Sequence, residues 1–97
     1  MTGEPRLSVE GDAVVRFAPH TRFRFDEVRQ AWIVLAPERL MLPDEQAVEI
    51  LQLIDGKRPV DGVIEELVGR YDAPRDVIAG DVFKMLQDLV DKKVLRL

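Results

Sequence analysis

The chain has no cysteine, one histidine and one serine, and each shortage removes a class of chemistry. Without thiolates there are no disulfides, no thiolate zinc or iron–sulfur ligation and no cysteine nucleophile. His20 alone cannot build an imidazole cluster. Ser8 sits in the polar N-terminal stretch, so a Ser-His-Asp set has no plausible assembly. Gly56, Gly62 and Gly69 are isolated, so no glycine-rich phosphate loop exists. No apolar run approaches the roughly 20 residues of a membrane span. Met1-Thr2-Gly3-Glu4-Pro5 has neither the basic nor the apolar region of a signal peptide, and a cytoplasmic location follows by default. The carboxylates fall mostly on helix faces that read as solvated, with no shaped pocket around a dyad. The sequence predicts a protein that is not an enzyme and carries no cofactor or metal of its own.

What remains is a 97-residue chain, 46% hydrophobic and 33% charged, with a formal charge of −4. That length suits one domain, which buries roughly 60–65% of its unfolded surface: one core and no deep cavity. Residues 1–43 carry six basic and six acidic side chains, residues 44–97 eight against twelve. The net charge therefore lies in the second half. Such a balance argues against a phosphate-backbone partner and fits a basic or amphipathic protein partner.

Residues 1–13 mix Gly3, Pro5, Ser8, Gly11 and Asp12 with scattered charges and read as a flexible arm ahead of a single domain over 14–97. Val14-Val15-Arg16-Phe17 reads as a short strand interrupted by Pro19. Arg22-Phe23-Arg24-Phe25 alternates with period two, placing both rings on one face and both guanidinium groups on the other. Trp32-Ile33-Val34-Leu35 is a β-branched and aromatic run, and the residues from Asp26 to Gln30 turn the chain between them into an antiparallel hairpin. Trp32 reads as a core residue in preference to a binding platform. Pro37 interrupts pairing, so Arg39-Leu40-Met41-Leu42 becomes a third strand, with Leu40 and Leu42 toward the core and Arg39 and Met41 away.

Three helices follow. Pro43-Asp44-Glu45 opens the first, Ala47, Ile50, Leu51 and Ile54 give its stripe, and Asp55-Gly56 closes it with a left-handed glycine. The second has the cleanest period in the chain, through Val60, Val63, Ile64, Leu67, Val68 and Tyr71, although Gly62 and Gly69 mark it as locally weak or closely packed. The third runs from Pro74 to Lys92 with a core stripe of Ile78, Val82, Met85, Leu86 and Leu89. Phe83 and Val90 widen its apolar arc on one side, beyond what one core contact requires. The fold class is α+β, a three-stranded antiparallel sheet followed by three helices, winged helix-turn-helix-like.

An exposed edge strand is either blunted or used. The third strand is such an edge, and an extended peptide added there gains main-chain hydrogen bonds. Phe83 and Val90 either pack against the strands or a dimer mate, or stand beside this edge and make the third helix one wall of a channel for the peptide. Met41 reads as an edge donor, so Met41→Pro is expected to reduce peptide binding without unfolding the core. A winged-helix DNA-binding regulator is the alternative, but the third helix carries four basic and four acidic residues between Arg75 and Lys93, whereas a groove-reading helix is net positive. A structural dimerisation module that pairs the same edges is a third possibility.

Several runs are specific in order and spacing: Arg24-Phe25-Asp26-Glu27-Val28-Arg29, Trp32, Leu35-Ala36-Pro37-Glu38-Arg39, Leu42-Pro43-Asp44-Glu45, Ile50-Leu51, Asp55-Gly56, Tyr71-Asp72-Ala73-Pro74 and the Leu86/Leu89 pair. By these, the chain from Arg22 to Leu97 resembles the PqqD family, small proteins of pyrroloquinoline quinone biosynthesis. The resemblance implies a peptide chaperone with a winged-helix-like fold, a recognition element for ribosomally made, modified peptides. It implies that the precursor PqqA adds as a strand along Arg39, Leu40, Met41 and Leu42 and packs on Val82, Phe83, Leu86 and Val90. It further implies presentation to PqqE, a radical S-adenosylmethionine enzyme that holds the cofactors itself. The unpaired edge, the charge balance and the lack of a long apolar run lead in turn to a monomer or weak edge-mediated dimer that binds neither nucleic acid nor membrane. Two positions depart from the family pattern. Pro59 replaces a Ser or Thr helix cap, a loss of about 1 kcal/mol, and Lys93 replaces a glycine after the last helix.

Overall fold

A computed structural model describes residues 8–97. The elements follow in the order β1 (Arg16–Phe17), β2 (Arg22–Asp26), β3 (Ala31–Ala36), β4 (Arg39–Met41), α1 (Glu45–Gln52), α2 (Val60–Arg70), α3 (Arg75–Asp91) and β5 (Leu95–Arg96). β2, β3 and β4 form an antiparallel sheet in that order, while β1 and β5 pair as a separate two-stranded ribbon. The α+β class, the three-stranded sheet and the three helices are those the sequence predicts. The ribbon is an addition.

In the hairpin, Phe23 stands opposite Val34 and Phe25 opposite Trp32, so the aromatic face of β2 meets the apolar face of β3 and Arg22 and Arg24 turn the other way. Phe23 stacks on Trp32 at 4.8 Å and on Phe17 at 5.9 Å, and Phe25 meets Trp32 edge-on at 5.9 Å. Trp32 is thus the middle of a half-buried aromatic row leading outward from the main core. The Asp26 carboxylate closes the turn: it accepts the Val28 N–H and an Arg29 guanidinium N–H at 2.6 Å. The Arg29 contact, with the Val28 amide, holds its carboxyl below the ordinary aspartate range against the opposing effect of burial.

Asp44 caps α1 by accepting the Ala47 N–H at 2.8 Å. α1 ends earlier than Asp55-Gly56, with Leu53 as its C-cap. Gly56 does adopt the left-handed conformation (φ 75°), but in the following loop, where Asp55 accepts the Lys57 and Arg58 N–H groups. These two backbone bonds lower the Asp55 carboxyl as well.

Pro59 supplies no side-chain cap to α2, as the sequence predicts. The first turn is satisfied from elsewhere: Val60 N–H donates to the Ala13 carbonyl (2.9 Å) and Asp61 N–H to the Gly11 carbonyl (2.8 Å). Gly11 lets the strap pass close to α2, since a Cβ there would lie 2.5 Å from an Asp61 carboxylate oxygen and displace that side chain. Residues 8–13 therefore form a strap. Val9 is buried in the main cluster and donates its N–H to Gln87 Oε1 on α3. The remainder of the arm expected over 1–13 lies outside the described residues.

The core joins Val15 and Val34 to Ile50 and Leu51 of α1, Val60, Val63, Ile64 and Leu67 of α2, Ile78, Val82, Leu86 and Leu89 of α3, and Val94 and Leu95 of β5. Each such side chain contributes about 1.5–3 kcal/mol of burial. Lys93 explains how β5 joins this set. It takes the left-handed position (φ 65°), with Lys93 N–H bonded to Val90 carbonyl and Val94 N–H to Leu89 carbonyl, a two-bond helix stop usually built on glycine. That stop turns Val94 and Leu95 back into the core. Among the described residues no helix is long and apolar enough to cross a membrane.

Candidate functional site

Among the described residues β4 pairs only with β3, which leaves its other side open. Its partners are Val34 for Met41, Leu35 for Leu40 and Ala36 for Arg39, joined through the two-residue turn Pro37-Glu38. Neither turn residue has a positive φ, so this is not the primed turn whose twist matches a hairpin, consistent with β4 pairing over only three residues.

This register corrects the expected facing of the third strand. Cross-strand partners share a face, and Val34 points into the core, so Met41 does too and packs against the core cluster. Leu40 and Leu42, expected inside, are 44% and 63% exposed. The register also moves the edge donor. A two-residue hairpin makes Ala36–Arg39 a hydrogen-bonded pair, and alternation then makes Val34–Met41 the next one. The Met41 amide thus faces β3, and the N–H and carbonyl aimed at the open edge belong to Leu40, with Leu42 next in the same phase.

Beyond Met41 the chain passes Leu42 and Pro43 to Asp44, and a groove of about 660 Å³ opens between α1 and α3. Ala47, Ile50 and Met85 supply its apolar lining, and Asp44, Asp81, Asp88 and Asp91 bring four carboxylates to it, with Lys84 as the only cation among the lining residues. Gln46 Nε2 donates to Asp81 Oδ2 across the two helices at 3.3 Å. On the other side of this bridge lies a second cavity of about 630 Å³, which shares Gln46, Ile50 and Asp81 and adds Leu67, Tyr71, Ile78 and Val82.

The structure separates the expected α3 residues. Leu86 is fully buried, and Val82, equally buried, borders the second cavity. Phe83 and Val90 pack partly buried against the core cluster that includes Val9. Neither lines the groove next to α1, which α3 meets with the opposite flank, at Asp81, Lys84, Met85 and Asp88. Sequence reasoning passed over this flank because an alternation of acids and one lysine on a helix reads as a solvated surface. Met85, at the margin of the core stripe, is its one apolar signal.

Comparison with known proteins identifies the family. The sequence profile described as "Coenzyme PQQ synthesis protein D (PqqD)" matches residues 31–95. A PqqA binding protein of Bradyrhizobium diazoefficiens is 45% identical over 95 residues, covering 98% of this chain and 92% of its own. A PqqA binding protein of Rhodopseudomonas palustris strain HaA2 is 55% identical over 89 residues, covering 92% and 87%. The solution structure of the PqqD part of Methylobacterium extorquens PqqCD, described as a functional and stand-alone recognition element for ribosomally synthesized and modified peptides, superposes with a TM-score of 0.77 at 39% identity, covering 93% of this chain and 96% of that one. In sequence and in fold alike, the chain belongs to the PqqD family.

Proposed function

We propose that this protein is a non-catalytic chaperone that binds the precursor peptide PqqA as an added strand on β4 and presents it to PqqE. The observation that carries the reading is the outward-facing main chain of Leu40, flanked by exposed Leu40 and Leu42 side chains, with the α1–α3 groove beginning at Asp44, three residues beyond Met41. An added strand supplies the missing ladder bonds, and its alternate side chains reach toward the groove. The peptide contacts run along Arg39, Leu40, Met41 and Leu42. Leu86, Val82, Phe83 and Val90 hold α3 in place from the core side, and Met85 offers the apolar wall. Catalysis has no support here, since the two carboxylates with lowered pKa values, Asp26 and Asp55, are bound in turns.

Two homologous observations support the partner. The Bradyrhizobium and Rhodopseudomonas relatives are PqqA binding proteins, and the M. extorquens neighbour acts as a peptide recognition element when cut from its PqqCD fusion. Calorimetry with synthetic PqqA tests the reading: saturable one-to-one binding, and a ternary complex on adding PqqE, are expected. A folded protein that leaves PqqA unbound in the presence and absence of PqqE overturns it.

A further inference from the structure

We infer that the α1–α3 groove reads charge, accepting a cationic segment of the peptide whose neighbouring residues pair with β4. This deepens the strand-addition reading and rests on it. Ala47, Ile50 and Met85 give the groove a surface that holds the methylene stem of a Lys or Arg, and carboxylates from both helices stand where the charged head of such a side chain ends. Asp44 stands three residues beyond Met41, within about 10 Å even if the chain is fully extended, so a peptide of ordinary strand length spans both edge and groove.

Asp44, Asp81 and Asp88 keep most of their charge in the contacts they make. Asp44 is occupied as an acceptor from the Ala47 amide, and Asp81 from the Gln46 amide, both neutral donors that leave the carboxylate charge in place. Asp88 shares its charge with Lys92 at 2.9 Å through a pair that is roughly half exposed, and is therefore screened only in part. Against the single lining cation Lys84, these carboxylates leave the groove acidic, whereas β4 itself begins with exposed Arg39. An acidic segment over the groove meets repulsion and an apolar one leaves the carboxylates to water. A Lys or Arg satisfies both the stem-lining surface and the charge. The same asymmetry orients the peptide: its cationic position belongs at the α1 end of the edge and its neutral or acidic positions beside Arg39.

The test uses the full chain and synthetic PqqA, with versions in which each Lys or Arg is replaced in turn by Gln. Asp81→Asn and Asp88→Asn are the groove variants, with Glu27→Gln at the β2–β3 turn as a control. Each groove variant is expected to weaken binding three- to tenfold at low salt, and one of the Gln peptides to weaken it equally. The variant and that peptide together should lose no more than either alone, and Glu27→Gln should change nothing. Wild-type affinity should also fall as salt rises from 50 to 500 mM, a readout needing no variant. If PqqA binds, and binding depends on the Leu40 amide, yet neither salt nor either groove variant alters it, charge reading is overturned while strand addition stands. If wild-type protein binds no PqqA, both fall.

Discussion

Replacing Leu40 by proline deletes one outward amide and little else. The hairpin register gives Leu40 no bond into β3 through that amide, and its side chain is already 44% exposed, so the fold tolerates the change. Arg39, the residue before it, is in a strand, the conformation that a following proline favours. In the proposed peptide complex the amide would make one main-chain hydrogen bond, which contributes about 1 kcal/mol net, in a range of about 0.5–1.5. The expected loss is thus about fivefold in Kd, between about two- and twelvefold. Leu40→Ala separates the contribution of the side chain. Met41→Pro behaves differently, because its amide faces Val34 and its side chain packs on the core. It should lower stability by about 2–4 kcal/mol by breaking the ladder and a packed contact. Calorimetry for affinity and thermal unfolding for stability distinguish the two. A folded Leu40→Pro protein that binds PqqA as tightly as Leu40→Ala refutes the register argument.

Gly69→Ala and Gly80→Ala introduce a methyl where nothing lies within 4 Å, so each should stabilise its helix by about 0.5–1 kcal/mol and raise Tm by several degrees. Gly62→Ala should not, since its Cβ would meet Arg58 at 2.8 Å. Lys93→Gly relieves a left-handed non-glycine residue and should stabilise by up to about 1 kcal/mol after the entropy of glycine is subtracted, measured by urea unfolding. Asp26 and Asp55 titrate below their unfolded value in the folded state, so the unfolded chain takes up protons first on acidification. Their contribution is complete above about pH 5 and is lost as pH falls through about 4 and below; Asp26→Asn should flatten the acid side of a stability-against-pH curve.

The hairpin and the helix stripes were legible because each repeats its period several times. Phe23 and Phe25 fix one face of β2 without outside help. β4 was misread in its register: apolar Leu40 and Leu42 were placed inside and the Met41 amide at the open edge, whereas the length of the Pro37-Glu38 turn sets Met41 opposite Val34. A shift of one residue exchanges the faces of a strand. β5 carries two residues and follows a lysine where a glycine would have announced the helix stop, so nothing local marks it. The missing side-chain cap at Pro59 was legible, and its replacement was not, since Gly11 and Ala13 lie almost fifty residues earlier in the chain. For the site, the open edge followed from strand order. The wall did not: the apolar flank of α3 at Phe83 and Val90 is absorbed by the core, and the charged flank borders the groove.

The central claim is that PqqA adds as a strand at β4, and an amide NMR titration of labelled protein with synthetic PqqA tests it residue by residue. Saturable shifts at Leu40 and Leu42, continuing through Asp44–Ala47 and Met85, with slowed hydrogen exchange at the Leu40 amide, are predicted. Saturable shifts along the opposite edge, Arg22–Asp26, with β4 and the groove unmoved, would contradict it.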